Sequence, residues 1–437
     1  MSMKRFALLF LMCSCLLRIC AEEDRNQVLK VSNWVDYIDE SLITEFEQWY
    51  QQTTGEKIRV EYDTYVMPDT MYYRVADGRK DYDVCCPPEY LVERMLRHKL
   101  LNEIDPSLFA DTGTPDWTVG TSRYLDEALQ LYDEFEEVRV RNYAVPYQWG
   151  TTGVVYNPFY VDRNEVESWD FLFDPKFKAM IRIKDAFSDL YTILMIYAHR
   201  DEIKRGDVTR NLVVSTQTEE SLELMKQLLR RIRPQIVGWE FDEGRQRMAS
   251  GDDWLAVTWN GEAQWAVNHA SADVKLEFVV PYEGSDLWID CWVIPTTARN
   301  VRAANYWINF MSRPDHALRC AAKTNWTSAI ATPEVLEAVT DSSLEKEIDL
   351  SYFFGPEAKA VRVNPILYPD SSTIGRLALI RDVADRQEMI RKIWDDLKAE
   401  KDAPTLVFVP IVLALLFLAI LYLAIKYVRR KRNFKEE

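Results

Sequence analysis

Residues 28–62 read VLKVSNWVDYIDESLITEFEQWYQQTTGEKIRVEY and change period twice. VLKV at 28–31 is a short strand, broken by Ser32 and Asn33. With Ser41 as its cap, a helix over 41–52 puts Leu42, Ile43, Phe46, Trp49 and Tyr50 on one face, and Gly55 stops it. IRVEY at 58–62 is strand again. The same alternation predicts strands at 82–86, 153–156, 180–183, 255–259, 276–280 and 292–294. Helices are expected at 89–96, 190–198, 219–231 and 302–312, and over 373–399 in one or more pieces. This is the pattern of an α/β protein with mostly parallel sheets. PYQWGTTG at 146–153 reads as the crossover between two lobes. In open α/β sheets ligands bind beyond the carboxyl ends of the strands, so the residues just after them are the candidates.

The whole chain has 437 residues, with 53 Lys and Arg against 69 Asp and Glu, a net charge of −16. A 48% hydrophobic composition excludes wholesale disorder, and the acidic balance argues against a nucleic-acid partner. Four His, none paired at helical spacing, leave little for a zinc centre, and no metal or cofactor is expected. Residues 1–21 have the form of a secretory signal: Lys4 and Arg5, then an apolar run over 6–17, then Ala21 before Glu22. Residues 406–425 (LVFVPIVLALLFLAILYLAI) carry no charge and are long enough to span a bilayer, which takes about 20 residues. Lys426, Arg429, Arg430, Lys431 and Arg432 follow as a stop-transfer cluster. The expected order is therefore a signal at 1–21, an exported domain, one transmembrane helix at 405–428 and a cytoplasmic tail at 429–437. Taking the signal's +3 and the +4 of residues 405–437 from the total of −16 leaves −23 on the exported part. Of its four cysteines, Cys85 and Cys86 are adjacent and cannot easily bridge one another; free, buried thiols are expected at all four.

The post-strand positions are aromatic or acidic. Trp34, Asp36 and Tyr37 follow the first strand, Tyr90 the strand at 82–86, and Asp185 the strand at 180–183. Trp259 ends the strand 255–259, and Trp326 sits in a polar loop. A single Trp is more often core than ligand contact. Trp288 and Asp290 say more, because at i and i+2 of an extended segment both project to one side. An anion beside an indole face is the chemistry of an ammonium site, joining a charge-assisted hydrogen bond to a cation–π contact.

SNWVDYI (32–38), YDVCCPPEYLVERM (82–95), VPYQWGTTGVVYNP (145–158), VTWNGEA (257–263) and LWIDCWVIP (287–295) together resemble the periplasmic spermidine/putrescine-binding proteins of polyamine ABC importers. The resemblance runs over about 27–400. It implies a two-lobed periplasmic-binding-protein fold with a hinge and an interlobe cleft, lobe 1 being 27–150 with 289–334 and lobe 2 being 151–288 with 335–400. It further implies that Trp34, Tyr37, Tyr90, Trp259, Trp288 and Asp290 line the cleft and that Asp185 meets an amine nitrogen. Trp326 falls where the family commonly has tyrosine, and Asp36 where the spermidine binder has glutamate. Val35 and Pro88 replace hydroxyl residues, and Ile380 stands where a glutamine is expected. The second acid of the family falls on Ser188, with Asp189 one place further on. The function implied is a binding protein, not an enzyme, that captures spermidine or putrescine and delivers it to permease subunits driven by a cytoplasmic ATPase. The expected location is the periplasmic side of the inner membrane, held there by the C-terminal helix. Two rivals stand beside it: a binder or sensor of the same fold for another cationic metabolite, and an exported glycoside hydrolase, for which no segment offers a clear acid–base pair.

Overall fold

A computed structural model describes residues 25–399 except 111, 134–137, 241, 242, 384 and 385. The signal at 1–21, the transmembrane helix at 405–428 and the tail at 429–437 lie outside the described residues. Among those described, no helix is long and apolar enough to cross a membrane.

The chain begins with β1 (Val28–Trp34), α1 (Ser41–Thr54) and β2 (Arg59–Tyr65), and the two strands pair in parallel with Val28 opposite Arg59. Leu42, Phe46 and Tyr50 are the buried face of α1. Gly55 ends the helix at φ 77°, its N–H donating to the Gln51 carbonyl, a left-handed cap that costs glycine nothing. Ser41 is not the cap. It is the first helical residue, Glu40 holds the cap position, and the Ser41 hydroxyl donates to Asp39 instead.

β3 (Val84–Cys85), α2 (Glu89–Arg97), β4 (Leu101–Asn102) and β5 (Ala144–Gly150) complete the first pass. Only Thr151 separates β5 from β6 (Thr152–Tyr156), which belongs to another sheet. β7 (Ile181–Lys184), α3 (Phe187–Ala198), α4 (Glu219–Ile232), β8 (Ile236–Glu240), β9 (Leu255–Trp259), α5 (Asn260–Asn268) and β10 (Glu277–Val279) build the second unit. β11 (Ser285–Pro295) then returns to the first sheet, followed by α6 (Val301–Met311), α7 (Pro314–Thr324), β12 (Thr327–Ser328) and β13 (Leu377–Leu379), before the last helix, α8 (Gln387–Ala399). The first sheet runs β12-β5-β11-β3-β1-β2, with β4 and β13 also on β11; the second runs β10-β6-β9-β7-β8.

Both sheets are mixed, not mostly parallel as expected. β1, β2 and β3 pair in parallel, as do β7, β8 and β9, where helical crossovers impose it. β5 and β6, which carry the chain between sheets, pair antiparallel with β11 and β9. The segment 146–153 is therefore two strands meeting at a one-residue joint, and only Thr151 is free of either sheet. β11 is also far longer than the expected 292–294, because an eleven-residue strand buried on both faces shows no alternation to mark its start.

Alternate residues of β11 enter different cores. Leu287, Ile289, Cys291 and Val293 pack on one face of the first sheet, Trp288, Trp292 and Ile294 on the other. Leu255 and Val257 of β9 likewise face away from Ala256. Residues 335–379 differ from the expected assignment to lobe 2. Val335, Leu350, Phe353, Val363 and Leu379 share the core of the first sheet, since β13 pairs with β11. Ile366 and Ala378 also touch second-unit side chains, and further on Ile390, Trp394 and Leu397 of α8 enter that unit's main core. Cys85, Cys86, Cys291 and Cys320 are buried and free, and burial pushes each thiol pKa up, away from reactivity.

Candidate functional site

The carboxyl ends of β1, β3, β7 and β9 face a cavity of about 1140 Å³ between the two sheets. All nine residues singled out from the sequence line it: Trp34, Asp36, Tyr37, Tyr90, Asp185, Trp259, Trp288, Asp290 and Trp326. They do not play equal parts.

Asp290 is at the centre. β11 carries it inward beside Trp288, as the i, i+2 spacing requires. Trp34 Nε1 donates to one carboxylate oxygen at 3.0 Å and the Tyr37 hydroxyl to the other at 2.5 Å. The side chain is buried, and burial, with a smaller push from the charge of Asp189, raises its pKa to about 7. Trp259, Trp288 and Trp326 surround the space beside it, with ring centroids 5.4 to 6.5 Å apart and planes tilted by 59° to 79°. Tyr37 meets Trp326 edge-on at 5.7 Å. Trp288 Nε1 is buried without a hydrogen-bond partner among the described residues. Such a box offers indole faces to a cation and apolar walls to methylenes.

Asp189 belongs to the same centre. α3 begins at Phe187, so Asp189 lies in its first turn, where the positive end of the helix dipole favours a carboxylate. It accepts from Trp259 Nε1 at 2.7 Å and from the Thr152 hydroxyl at 3.3 Å, yet burial raises its pKa. Sequence reasoning left the choice between Ser188 and Asp189 open, because it turned on where the helix starts. Both line the cavity. Two further acids stand behind: Asp286, raised to about 8 by burial and by Asp189, and Glu89, raised by burial, with one oxygen lacking a partner among the described residues.

Asp185 and Asp36, unlike Asp290 and Asp189, already have cationic partners within the protein. Both Asp185 oxygens are taken by Lys398 Nζ at 3.1 and 3.0 Å, and Trp394 Nε1 donates to one of them at 2.6 Å. Asp36 adopts φ 54° at the mouth, its side chain 75% exposed, and pairs with Arg245 of the second unit at 3.7 Å. An exposed pair of that length is worth little. Lys184, Glu262, Trp394 and Lys398 also line the cavity, and sequence reasoning did not name them. Lys184 directly precedes Asp185, so the post-strand rule reaches it; Trp394 and Lys398 lie some two hundred residues on and arrive only through the packing of α8. Among the described residues no group of three or more His, Cys, Asp or Glu side chains is placed to hold a metal ion.

α5 places Gly261 directly against the Trp326 ring. A β-carbon built there falls 2.1 Å from Trp326 Cε3. Gly261→Val should therefore displace the indole and cost about 1–3 kcal/mol. Loss of near-ultraviolet circular dichroism with a lowered Tm is the expected result; an unaltered spectrum would refute the contact.

The profile described as bacterial extracellular solute-binding protein matches residues 42–345. The chain belongs to that family. The family's role is to bind a solute and not to catalyse a reaction, and its two-lobed α/β fold is the one described above. A spermidine/putrescine-binding periplasmic protein of Salmonella typhimurium is 26% identical over 385 residues, covering 87% of this chain and 94% of the relative. A putrescine-binding periplasmic protein of Pseudomonas aeruginosa is 25% identical, with coverage of 87% and 94%. Among solved structures, a putative spermidine/putrescine ABC transporter protein of Listeria monocytogenes superposes with a TM-score of 0.66 at 25% identity, covering 85% of this solute-binding chain and 99% of its own.

Proposed function

We propose that this solute-binding protein captures a polyamine, spermidine or putrescine, in the cleft between its two sheets and passes it to an ABC importer. The observation that carries the proposal is the set of three indoles around Asp290 and Asp189, two carboxylates that receive only neutral donors. An empty buried carboxylate is unfavourable, and an ammonium ion placed there removes the penalty while its methylenes cover the rings. Trp34, Tyr37, Tyr90, Trp259, Trp288, Asp290 and Trp326 are the proposed contacts, with Asp189 in the place given to Asp185. The names of the relatives favour the same solute class.

The proposed motion is a hinge closure of lobes that meet near 150/151 and 284/285. There the Thr151 hydroxyl donates to the Asp286 carbonyl and the Ser285 hydroxyl to the Thr152 carbonyl, both at 2.6 Å, so the two crossing strands move as a stitched pair. The signal at 1–21 is proposed to export the domain to the periplasm. The uncharged run at 406–425 is proposed to hold it on the cytoplasmic membrane, raising its effective concentration near the permease and ATPase subunits. Truncation after Pro404 should yield a soluble exported domain that binds putrescine or spermidine with micromolar or better Kd by calorimetry. A product retained in the membrane fraction would contradict the anchor. A soluble product that binds neither amine, yet is stabilised by an amino acid or sugar in a thermal-shift screen, would contradict the ligand.

A further inference from the structure

The cavity already contains two ammonium groups of the protein's own. Lys398 holds both oxygens of Asp185 at 3.1 and 3.0 Å. Lys184 places Nζ 2.5 Å from Glu262 Oε1 and 4.4 Å from the centre of the Trp259 ring. A carboxylate on one side and an indole face on the other is the environment an amine ligand would seek, and here a lysine fills it. Lys184 is buried, its side chain 3% exposed, and Glu262 is steadied from behind by the Thr258 hydroxyl at 2.8 Å. Lys398 sits in the last turn of α8, where the helix dipole favours a cation, and α8 is held by Trp394 packed against Trp239 and Phe187.

Asp290 and Asp189 are different. Their hydrogen-bond partners are the indole and hydroxyl groups of Trp34, Tyr37, Trp259 and Thr152; no basic side chain among the described residues stands within ion-pair distance of either, and the charge of Lys184 acts on Asp189 only from further off. Charge balance in a closed, dry cleft then sets the number of ligand nitrogens. Each of these two acids admits one ammonium. A third placed toward Asp185 or Glu262 would stand beside Lys398 or Lys184, where like charges repel with little water to screen them.

Resting on the amine-binding reading above, we infer that Lys184 and Lys398 are built-in ammonium groups that occupy two amine positions of the cleft and restrict the protein to short diamines over longer polyamines. Selectivity of this kind works by repelling the wrong ligand as much as by attracting the right one.

Calorimetry on the full chain purified in mild detergent, with putrescine and spermidine as probes, tests this. The native protein should bind putrescine about tenfold more tightly than spermidine. Lys398→Met, which bares Asp185, should shift the ratio of the two Kd values toward spermidine by about tenfold, and Lys184→Met should do the same by baring Glu262. Lys398→Arg, which keeps the cation, should retain the native ratio. Spermidine bound as tightly as putrescine by the native chain overturns the inference without any variant. A ratio unmoved in folded Lys398→Met also overturns it, while leaving the amine reading in place. Failure of the native chain to bind either amine overturns both.

Discussion

Asp290→Asn should abolish amine binding, with a loss of about hundredfold or more in affinity, because it removes the charge that the cleft is built around. The amide is the informative replacement. It keeps an acceptor for Trp34 Nε1 and stays within reach of the Tyr37 hydroxyl, whereas alanine would strand both buried donors. Since Asp290 is buried with no ion-pair partner among the described residues and a pKa near 7, the neutral amide should not destabilise the empty protein. At pH 8, where the native carboxyl is charged, the Tm of Asp290→Asn should equal or exceed that of the native chain. Affinity retained in a folded variant would reject Asp290 as the ammonium partner. A large fall in Tm would instead make it a structural acid.

Acidic pH should favour the empty protein and disfavour its complex. Asp290 is raised to about 7 and Asp286 to about 8, mainly by burial, and Asp189 and Glu89 are raised in the same direction. In the unfolded chain such groups titrate near pH 4. Between pH 4 and 8 the folded chain therefore holds protons that the unfolded chain has released. The stability these groups contribute is full below about pH 4 and is lost as pH rises through about 7 and 8. Carboxylates held low, such as Asp81 at about 2, act only in stronger acid and do not reverse the trend in this window. Thermal unfolding of the ligand-free protein should give a higher Tm at pH 5.5 than at pH 8.5 by several degrees. Amine binding requires the charged carboxylate, so Kd should rise by about tenfold per pH unit below 7 and level off above 8. Calorimetry at pH 6 in buffers of different ionisation enthalpy should register close to one proton released per ligand. Kd independent of pH from 5.5 to 8.5 would mean that Asp290 is already ionised in the empty cleft.

The parts of this molecule that were legible in the sequence are those governed by local pattern. The helix expected at 41–52 and found at Ser41–Thr54, its stop at Gly55, and the strands around 28, 59 and 255 follow from periodicity and the C-terminal glycine, although the expected Ser41 cap does not form. The pairing of Trp288 with Asp290 follows from the two-residue repeat of any strand. Post-strand position, the spacing of Trp288 and Asp290 and the family resemblance together collected nine of the residues that line the cavity. What they could not supply was the partners of those residues. Asp185 and Asp290 look alike in the sequence, each an acid at a strand end or within a strand, but one is neutralised by Lys398 and the other faces only neutral donors.

Sequence alone determined that this chain is an α/β protein whose acidic and aromatic side chains gather at strand ends, because alternation and turn chemistry act over a few residues. Tertiary structure decided which of those acids form no ion pair among the described residues, that the strands carrying the chain between sheets run antiparallel, and that much of 335–379 packs on the first sheet while Ile366 and Ala378 touch the second unit. These outcomes depend on which distant segments meet, and the energy of a buried charge depends on its neighbours in space more than on those in the chain.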